Sequence, residues 1–361
     1  MRRFFGVSLV SAAFALTACS GSKAAPPSTI GATTAVSSTT TLATTSSSAI
    51  TTIATTATAA PKQTMPLRGT PVTDEAARIK PVVVVKIDNS NAFSVQPQLG
   101  LERADIVFEE IVEGITRFAA VFHSDVPERV GPVRSARTSD IDIVAQLSRP
   151  ILAWSGGNNG VVNAMRKADI NDVGRETAPS VITNAVYYRV NDREEPHNLF
   201  VKTAEMYAVL EAPQPPPTPL FTYRAAGKSA TGGVPVAEGF NVKLSSTQVE
   251  WTWNGSGWVR RAYGFAHLDT NRKPIAPENV VTMVTKYRSS PADPRSPEAV
   301  TVGEGEAFVL TDGRLINGTW KREDATKPAV IRDDKGQVME LTPGRTWIEL
   351  PDSADNVKFL G

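Results

Sequence analysis

The chain has one cysteine, Cys19, and it stands before any segment able to build a core. The rest of the chain therefore has no thiol for a disulfide, a redox pair or a thiolate metal site, and must fold on an ordinary hydrophobic core. With 41% hydrophobic residues, the part beyond the N-terminal low-complexity stretch is about 295 residues long, enough for one large or two medium domains. Ahead of Cys19, Arg2 and Arg3 form a basic start and Phe4 to Ala18 an apolar run. That run is about 15 residues, against the ~20 a membrane-spanning helix requires, so it reads as a cleaved export signal.

Leu16-Thr17-Ala18-Cys19 has the form of a lipobox. This predicts cleavage after Ala18, a diacylglyceryl group on the Cys19 thiol, and a mature chain held to the membrane by lipid on its extracytoplasmic face. Removing residues 1–18 takes Arg2 and Arg3 from the 38 basic groups and nothing from the 37 acidic ones, leaving 36 against 37. That balance gives no electrostatic case for nucleic acid. From Ala24 to Pro61 no residue is charged, and Ser and Thr runs dominate. Such a stretch buries too little apolar surface to offset its ordering entropy, so residues 19–64 read as a disordered tether open to O-glycosylation. As a flexible coil it spans roughly 35–40 Å r.m.s., and at most about 150 Å when extended.

Residues 65–212 read as a mixed α/β part. Pro81 to Ile87 is apolar on both faces and β-branched, a buried strand that runs into the polar trio Asp88-Asn89-Ser90. Ala104 to Val112 and Ile115 to Phe122 read as a hairpin turning at Glu113-Gly114, which sets Glu110 opposite Arg117 as a cross-strand charge pair. The string Val130 to Arg137 then enters a helix whose apolar positions include Ile141, Val144 and Leu147, with Thr138 or Ser139 as cap. Arg134 and Arg137 before a helix N-terminus oppose the macrodipole, so an anion is expected there. It is either a ligand's carboxylate or phosphate, or an internal partner among Asp88, Glu109, Glu110 and Glu113. Ile151 to Ser155, then Gly156 to Gly160 and a helix over 161–168, make a strand, glycine turn and helix, which reads as a plain tight connection without a nucleotide signature. His197 and Asn198 lie in a polar turn, suited to proton transfer, ligand contact or loop hydrogen bonding.

Five segments of this half, in order, are Ile87-Asp88-Asn89, Ala104 to Glu109, Thr116-Arg117-Phe118, Val130 to Arg137 and Pro196-His197-Asn198-Leu199. Together they resemble the YerB-like family of bacterial lipoproteins, with a likeness running from about residue 66 to 350. The resemblance implies a two-part α/β ectodomain behind a lipid anchor, and no activity, since the family is one of unknown function. In that family the hairpin turn usually carries an additional residue between Glu113 and Ile115, which bears on the Glu110–Arg117 register.

The prolines between 213 and 219 make a stiff connector, placed at 213–220, and residues 221–361 change character. Strands are expected at 240–244, 247–253, 258–263, 280–287, 306–311, 314–320, 329–332, 337–341 and 346–350, separated by glycine turns. The expected fold class is thus mixed α+β, a layered α/β part followed by a mostly β part. Val249, Trp251 and Trp253 share a strand face, which reads as core before it reads as an exposed row for sugar stacking. His123, His197 and His267 are the only histidines, so no zinc centre and no cofactor are expected, while an oxygen-rich calcium site stays open.

Three functions follow from these residues. The first is non-catalytic binding of an anionic cell-envelope ligand in a pocket of Arg117, Arg134 and Arg137, with Ser135, His197, Asn198, Asp88, Asn89 and Glu110 around it. The second is a wall hydrolase or transferase with His197 as general base, Asp88 or Glu110 orienting it, and Ser135 or water as nucleophile. The third is a structural or partner-binding envelope protein whose charges pair internally. No Gly-x-Ser-x-Gly elbow, His-Glu-x-x-His or Cys–His pairing supports chemistry. What separates the three is whether the guanidinium groups near 134–137 are matched by the protein's own carboxylates.

Overall fold

A computed structural model describes residues 63–90, 95–236 and 239–360. The export signal, Cys19 and the Ser/Thr-rich tether lie outside the described residues. Three strands form the centre: β1 (Val83–Asn89), β2 (Ile106–Ile111) and β3 (Thr116–Phe122). All their residues are buried, because the sheet they start is covered on both faces and so takes apolar side chains at successive positions. β3 lies between the other two and runs antiparallel to both. The turn at Glu113-Gly114 has the expected register, with Val112 N donating to Ile115 O at 2.8 Å and Glu110 opposite Arg117. Gly114 has φ +80°, a conformation that favours glycine.

The sheet grows outward from this centre on both sides. Beyond β1, Ile151–Ala153 pairs in parallel with Val83–Val85. Beyond β2 come Thr346–Leu350 and then Asn279–Met283, both parallel to it, followed by the long hairpin Gly303–Thr311 and Arg314–Arg322. Strands from both sides of the proline-rich connector therefore make one eleven-stranded sheet. Its parallel members end at one edge, where Asp88-Asn89, Glu109-Glu110, Ser155 and Glu349 fall. In sheets of this kind the carboxyl ends of parallel strands are where ligands tend to sit.

Each face is covered by a different layer. On one face Val84, Phe108 and Val121 pack with Ile143 and Val144 of the helix Thr138–Ala145 and Val161 and Met165 of the helix Asn159–Met165. On the other, Phe118, Val107 and Trp347 pack with Phe240, Trp251 and Trp258 of a five-stranded sheet. Trp251 meets Trp347 edge-on, ring centroids 5.6 Å apart, so the aromatic row reads inward as core.

Several strand pairings escape the sequence pattern. Tyr287–Ser290 and Asp293–Ala299 form a separate hairpin where prolines 291, 294 and 297 argue for loop. A strand that pairs on one side only can hold proline, because its other N–H groups need no partner strand. Val357–Leu360 joins the five-stranded sheet against Gly239–Val242. The expected strand 280–287 stops at Met283 and that at 337–341 shrinks to Glu340–Leu341. Among the described residues no helix is long and apolar enough to cross a membrane.

Candidate anion site at the carboxyl edge of the central strands

Strand alternation puts Lys86 and Asp88 on one face of β1 and Asn89 on the other. Opposite Asp88 on β3 is Arg117, and opposite Arg117 on β2 is Glu110. A further strip completes this face. Gly131 to Arg134 runs antiparallel beside the end of β1, with Asp88 N donating to Pro132 O at 3.0 Å and Arg134 N to Lys86 O at 2.9 Å. Gly131 is needed because the Phe200 ring lies 2.5 Å from where its Cβ would stand. Val133 N donates to Leu199 O at 2.7 Å, which brings the turn before Leu199 alongside.

The result is a cluster around the fully buried Asp88. Its Oδ2 lies 2.9 Å from Arg134 Nε and 2.8 Å from His197 Nδ1, and its Oδ1 accepts the Ser90 N–H at 3.0 Å. Held this way, His197 presents its other nitrogen, Nε2, which makes no hydrogen bond among the described residues. The Arg134 guanidinium makes no hydrogen bond among the described residues, its Nε meeting Asp88 as an ion pair alone.

Charge matching around this cluster is uneven. Lys86 is buried and bonded to both Glu110 and, at 2.7 Å, Asp140. Burial, with Asp140 adding repulsion, pushes the Glu110 carboxyl above its ordinary range, so the trio tends toward neutrality. Arg137 is clasped by both oxygens of Glu113, at 2.9 and 2.5 Å, and Ser296 donates to the same carboxylate at 2.6 Å. Partial burial opposes ionisation of Glu113, but these hydrogen bonds and the Arg137 charge hold its pKa at about 2.

Arg117 has none of this. It is 5% exposed, its Nε and Nη1 are buried, and neither makes a hydrogen bond. Burial, then the charges of Arg137 and Arg134, lower its pKa to about 10 against the opposing pull of Asp88 and Glu113. Both carboxylates that flank it across the strands are turned to other cations.

The structure corrects two expectations here. The Glu110–Arg117 register is as read, yet no ion pair forms across it, because the buried Lys86 ammonium takes Glu110. Neither Thr138 nor Ser139 caps the helix. Arg137 occupies that position, and its N–H is received by Asp140 at 2.7 Å. The Thr138 hydroxyl meets Ser290 at 2.8 Å and the Ser139 hydroxyl accepts Ala299 N–H at 2.9 Å. Of the other expected ligand residues, Ser135 lies against Gly156, where a Cβ would come within 2.5 Å of its hydroxyl, and Asn198 bonds Arg189. Asn89 points to the opposite face.

On that opposite face a second cluster forms that the sequence reading did not assemble. Glu109, fully buried, accepts Asn89 Nδ2 at 3.2 Å, Thr116 Oγ1 at 2.7 Å, Trp347 Nε1 at 3.0 Å and two bonds from Arg260 Nη2 at 2.9 and 2.8 Å. The Arg260 guanidinium is stacked 4.9 Å from the Trp347 ring and donates to His267 Nδ1 at 2.9 Å. Burial and the Arg260 charge hold His267 well below its ordinary pKa, so it is neutral and donates from Nε2 to Gln98 Oε1 at 2.8 Å. Beside them Glu349 accepts Trp251 Nε1 at 3.1 Å, and burial with the Glu109 charge pushes its carboxyl well up. A signal for this cluster was present: Arg260 stands between Trp258 and Ala262 on the inward side of an alternating strand. Asp269 serves a turn, accepting Asn271 and Lys273 N–H at 2.8 Å each.

Comparison with known proteins agrees with this architecture. Residues 67–215 match the N-terminal domain of a protein of unknown function, DUF3048, and residues 240–348 match the C-terminal domain of the same family. The chain is 26% identical over 311 residues to the Bacillus subtilis (strain 168) protein named "Putative lipoprotein YerB", covering 82% of this chain and 88% of that one. The crystal structure of YerB from Bacillus subtilis superposes with a TM-score of 0.70 at 22% identity, over 83% of this chain and all of that one. The shared fold is the finding that this superposition carries.

Proposed function

Because the chain belongs to the YerB-like DUF3048 family, whose members have no known function, we propose a role from the site itself. The protein is a lipoprotein, tethered through Cys19 to the extracytoplasmic face of the membrane, that binds an anionic group of the cell envelope on Arg117 and Arg134. The lipobox and the lipoprotein name of its relative support the anchor. One observation carries the site: Arg134 and Arg137 each meet a carboxylate of the protein, Asp88 and Glu113, but Arg117 is a buried guanidinium with no hydrogen bond and no ion pair among the described residues. A buried cation without a partner costs several kcal/mol, and an arriving oxyanion removes that cost. Arg134 adds free donors beside it, and the planar fork of each suits a carboxylate or a phosphate.

A second reading, hydrolysis or transfer on wall material, has one observation in its favour. Asp88 fixes His197 by Nδ1 and leaves Nε2 unbonded, the arrangement by which a carboxylate orients a general base. Glu110 takes no part in it, being bonded to Lys86.

Titration calorimetry of the detergent-solubilised full chain with inorganic phosphate and with acetate tests the binding role and says which anion is preferred. The wild type is expected to bind one of them, and Arg117→Met to weaken that binding at least about tenfold, the scale set by losing one member of a buried charge pair. No binding of either anion by the wild type, or equal binding by the variant, overturns the assignment.

A further inference from the structure

We propose that the hairpin Tyr287–Ala299 is a hinged cover over the arginine cluster, and that an oxyanion reaches Arg117 when the hairpin lifts. The inference rests on the anion-binding reading of that site and adds its means of access. At 5% exposure Arg117 cannot be touched by a phosphate at Nε or Nη1 unless something moves. Most of what surrounds it belongs to the core: β1, β2 and β3 are buried throughout and joined to neighbours on both sides. The hairpin differs. Its two strands pair only with each other.

Its attachments fall into two kinds. At the base, the buried Tyr287 hydroxyl accepts Ile111 N–H at 3.0 Å and donates to Leu350 O at 2.9 Å, which pins that end to the sheet beside Glu110. Towards the tip the contacts are polar, two made by the buried Ser290 and Ser296 and one by Asp293 at the surface. Ser296 donates to Glu113 at 2.6 Å, Ser290 meets Thr138 at 2.8 Å, and Asp293 accepts Asn158 Nδ2 at 3.0 Å. Ala292 rests on Gly160, whose Cβ would lie 2.3 Å from the Ala292 carbonyl oxygen, and its side chain is partly buried. An element fixed at its base and held elsewhere by a few polar contacts has least to break at its tip, where water can replace the exposed Asn158–Asp293 bond at little net cost.

The latch and the site also share a group. Glu113 receives Ser296 from the hairpin and both bonds from Arg137, and Arg137 is one of the charges that destabilise the Arg117 cation. An oxyanion settling beside Arg117 and Arg137 competes with Glu113 for the same donors, so occupancy of the site and closure of the hairpin are coupled through one carboxylate.

The test uses two variants of the full chain and inorganic phosphate as the probe. Asn158→Cys with Asp293→Cys, oxidised to a disulfide, ties the tip down. Phosphate affinity is expected to fall at least about tenfold in the oxidised form and to return to the wild-type value on reduction. Ser290→Ala with Ser296→Ala removes two latches without demanding a new bond, and is expected to speed phosphate association severalfold in stopped-flow. Unchanged affinity on oxidation, or unchanged association in the serine variant, sinks the cover while leaving the site standing. Absence of binding of phosphate, and of acetate used in its place, in wild type and reduced variant alike sinks the site reading on which the cover depends.

Discussion

The two faces of the central strands carry buried charge at the same sheet edge, and they handle it in opposite ways. On the face toward the five-stranded sheet, Glu109 is closed by Arg260, Trp347, Thr116 and Asn89, and His267 and Gln98 continue the chain to the Asp88 carbonyl. On the face toward the helices, Lys86 and Arg137 are closed in the same manner and Arg134 meets Asp88 through Nε, but Arg117 has no hydrogen bond and no ion pair among the described residues. The same three strands build both clusters, so the contrast does not come from topology or burial. A polar network in which every buried charge meets an opposite one specifies a core, whereas a buried cation that meets no carboxylate marks a place where the fold is incomplete without something else.

Breaking the closed face should be the most damaging change. Arg260→Ala leaves Glu109 buried without its cation and is expected to cost about 3–5 kcal/mol, the usual penalty for removing one partner of a buried pair. Urea unfolding followed by Trp fluorescence reads it, because Trp347 and Trp251 flank the guanidinium. Should that variant not fold, Arg260→Met with Glu109→Gln, which removes both charges, is expected to recover most of the loss. A small effect from Arg260→Ala would mean that this network is not what holds the sheets together.

Arg117→Met should act with the opposite sign. A pKa drawn from 12.5 to about 10 corresponds to roughly 3 kcal/mol against the charged form. Removing the charge while keeping an apolar stem is expected to raise the unfolding free energy by about 1–3 kcal/mol in anion-free buffer, and to abolish any stabilisation by added phosphate. A loss of stability on this substitution would place Arg117 among the structural arginines with Arg260, and the contrast between the faces would vanish.

How much of this was legible in the residues depends on range. The strands of β1 to β3, their register and the turn at Glu113-Gly114 follow from local apolar runs and turn geometry, and they place Asp88, Glu110 and Arg117 on one face by alternation alone. What alternation does not carry is which of several carboxylates a cation will meet. Glu110 had Arg117 directly opposite, yet Lys86 two strands away took it, a choice decided by relative burial rather than by spacing. Pairings such as Arg260 with Glu109 span 151 residues and depend on how one sheet docks on another. Even there the inward Arg260 between Trp258 and Ala262 was a visible anomaly. The hairpin Tyr287–Ala299, which reaches Glu113 through Ser296, was hidden for a different reason: its prolines hide a strand that pairs on one side only.

Between the two extremes lies the Arg137–Glu113 pair, closed like the buried network but partly open to water, and it should show the smallest effect with a distinct pH signature. Glu113 has its pKa depressed from 4.5 to about 2 in the folded protein. A carboxyl whose folded pKa is depressed adds stability that is complete above its unfolded value and is lost as pH falls through the folded one, here between about 4.5 and about 2. The Glu113 side chain is 44% exposed, so solvent screening discounts the formal value to about 1 kcal/mol or less. Glu113→Gln is therefore expected to lower the Tm by a few degrees at pH 7, by less at pH 3.5, and by nothing measurable near pH 2. A difference that persisted near pH 2 would show that Glu113 acts through the Ser296 hydrogen bond and the hairpin it latches, not through its charge.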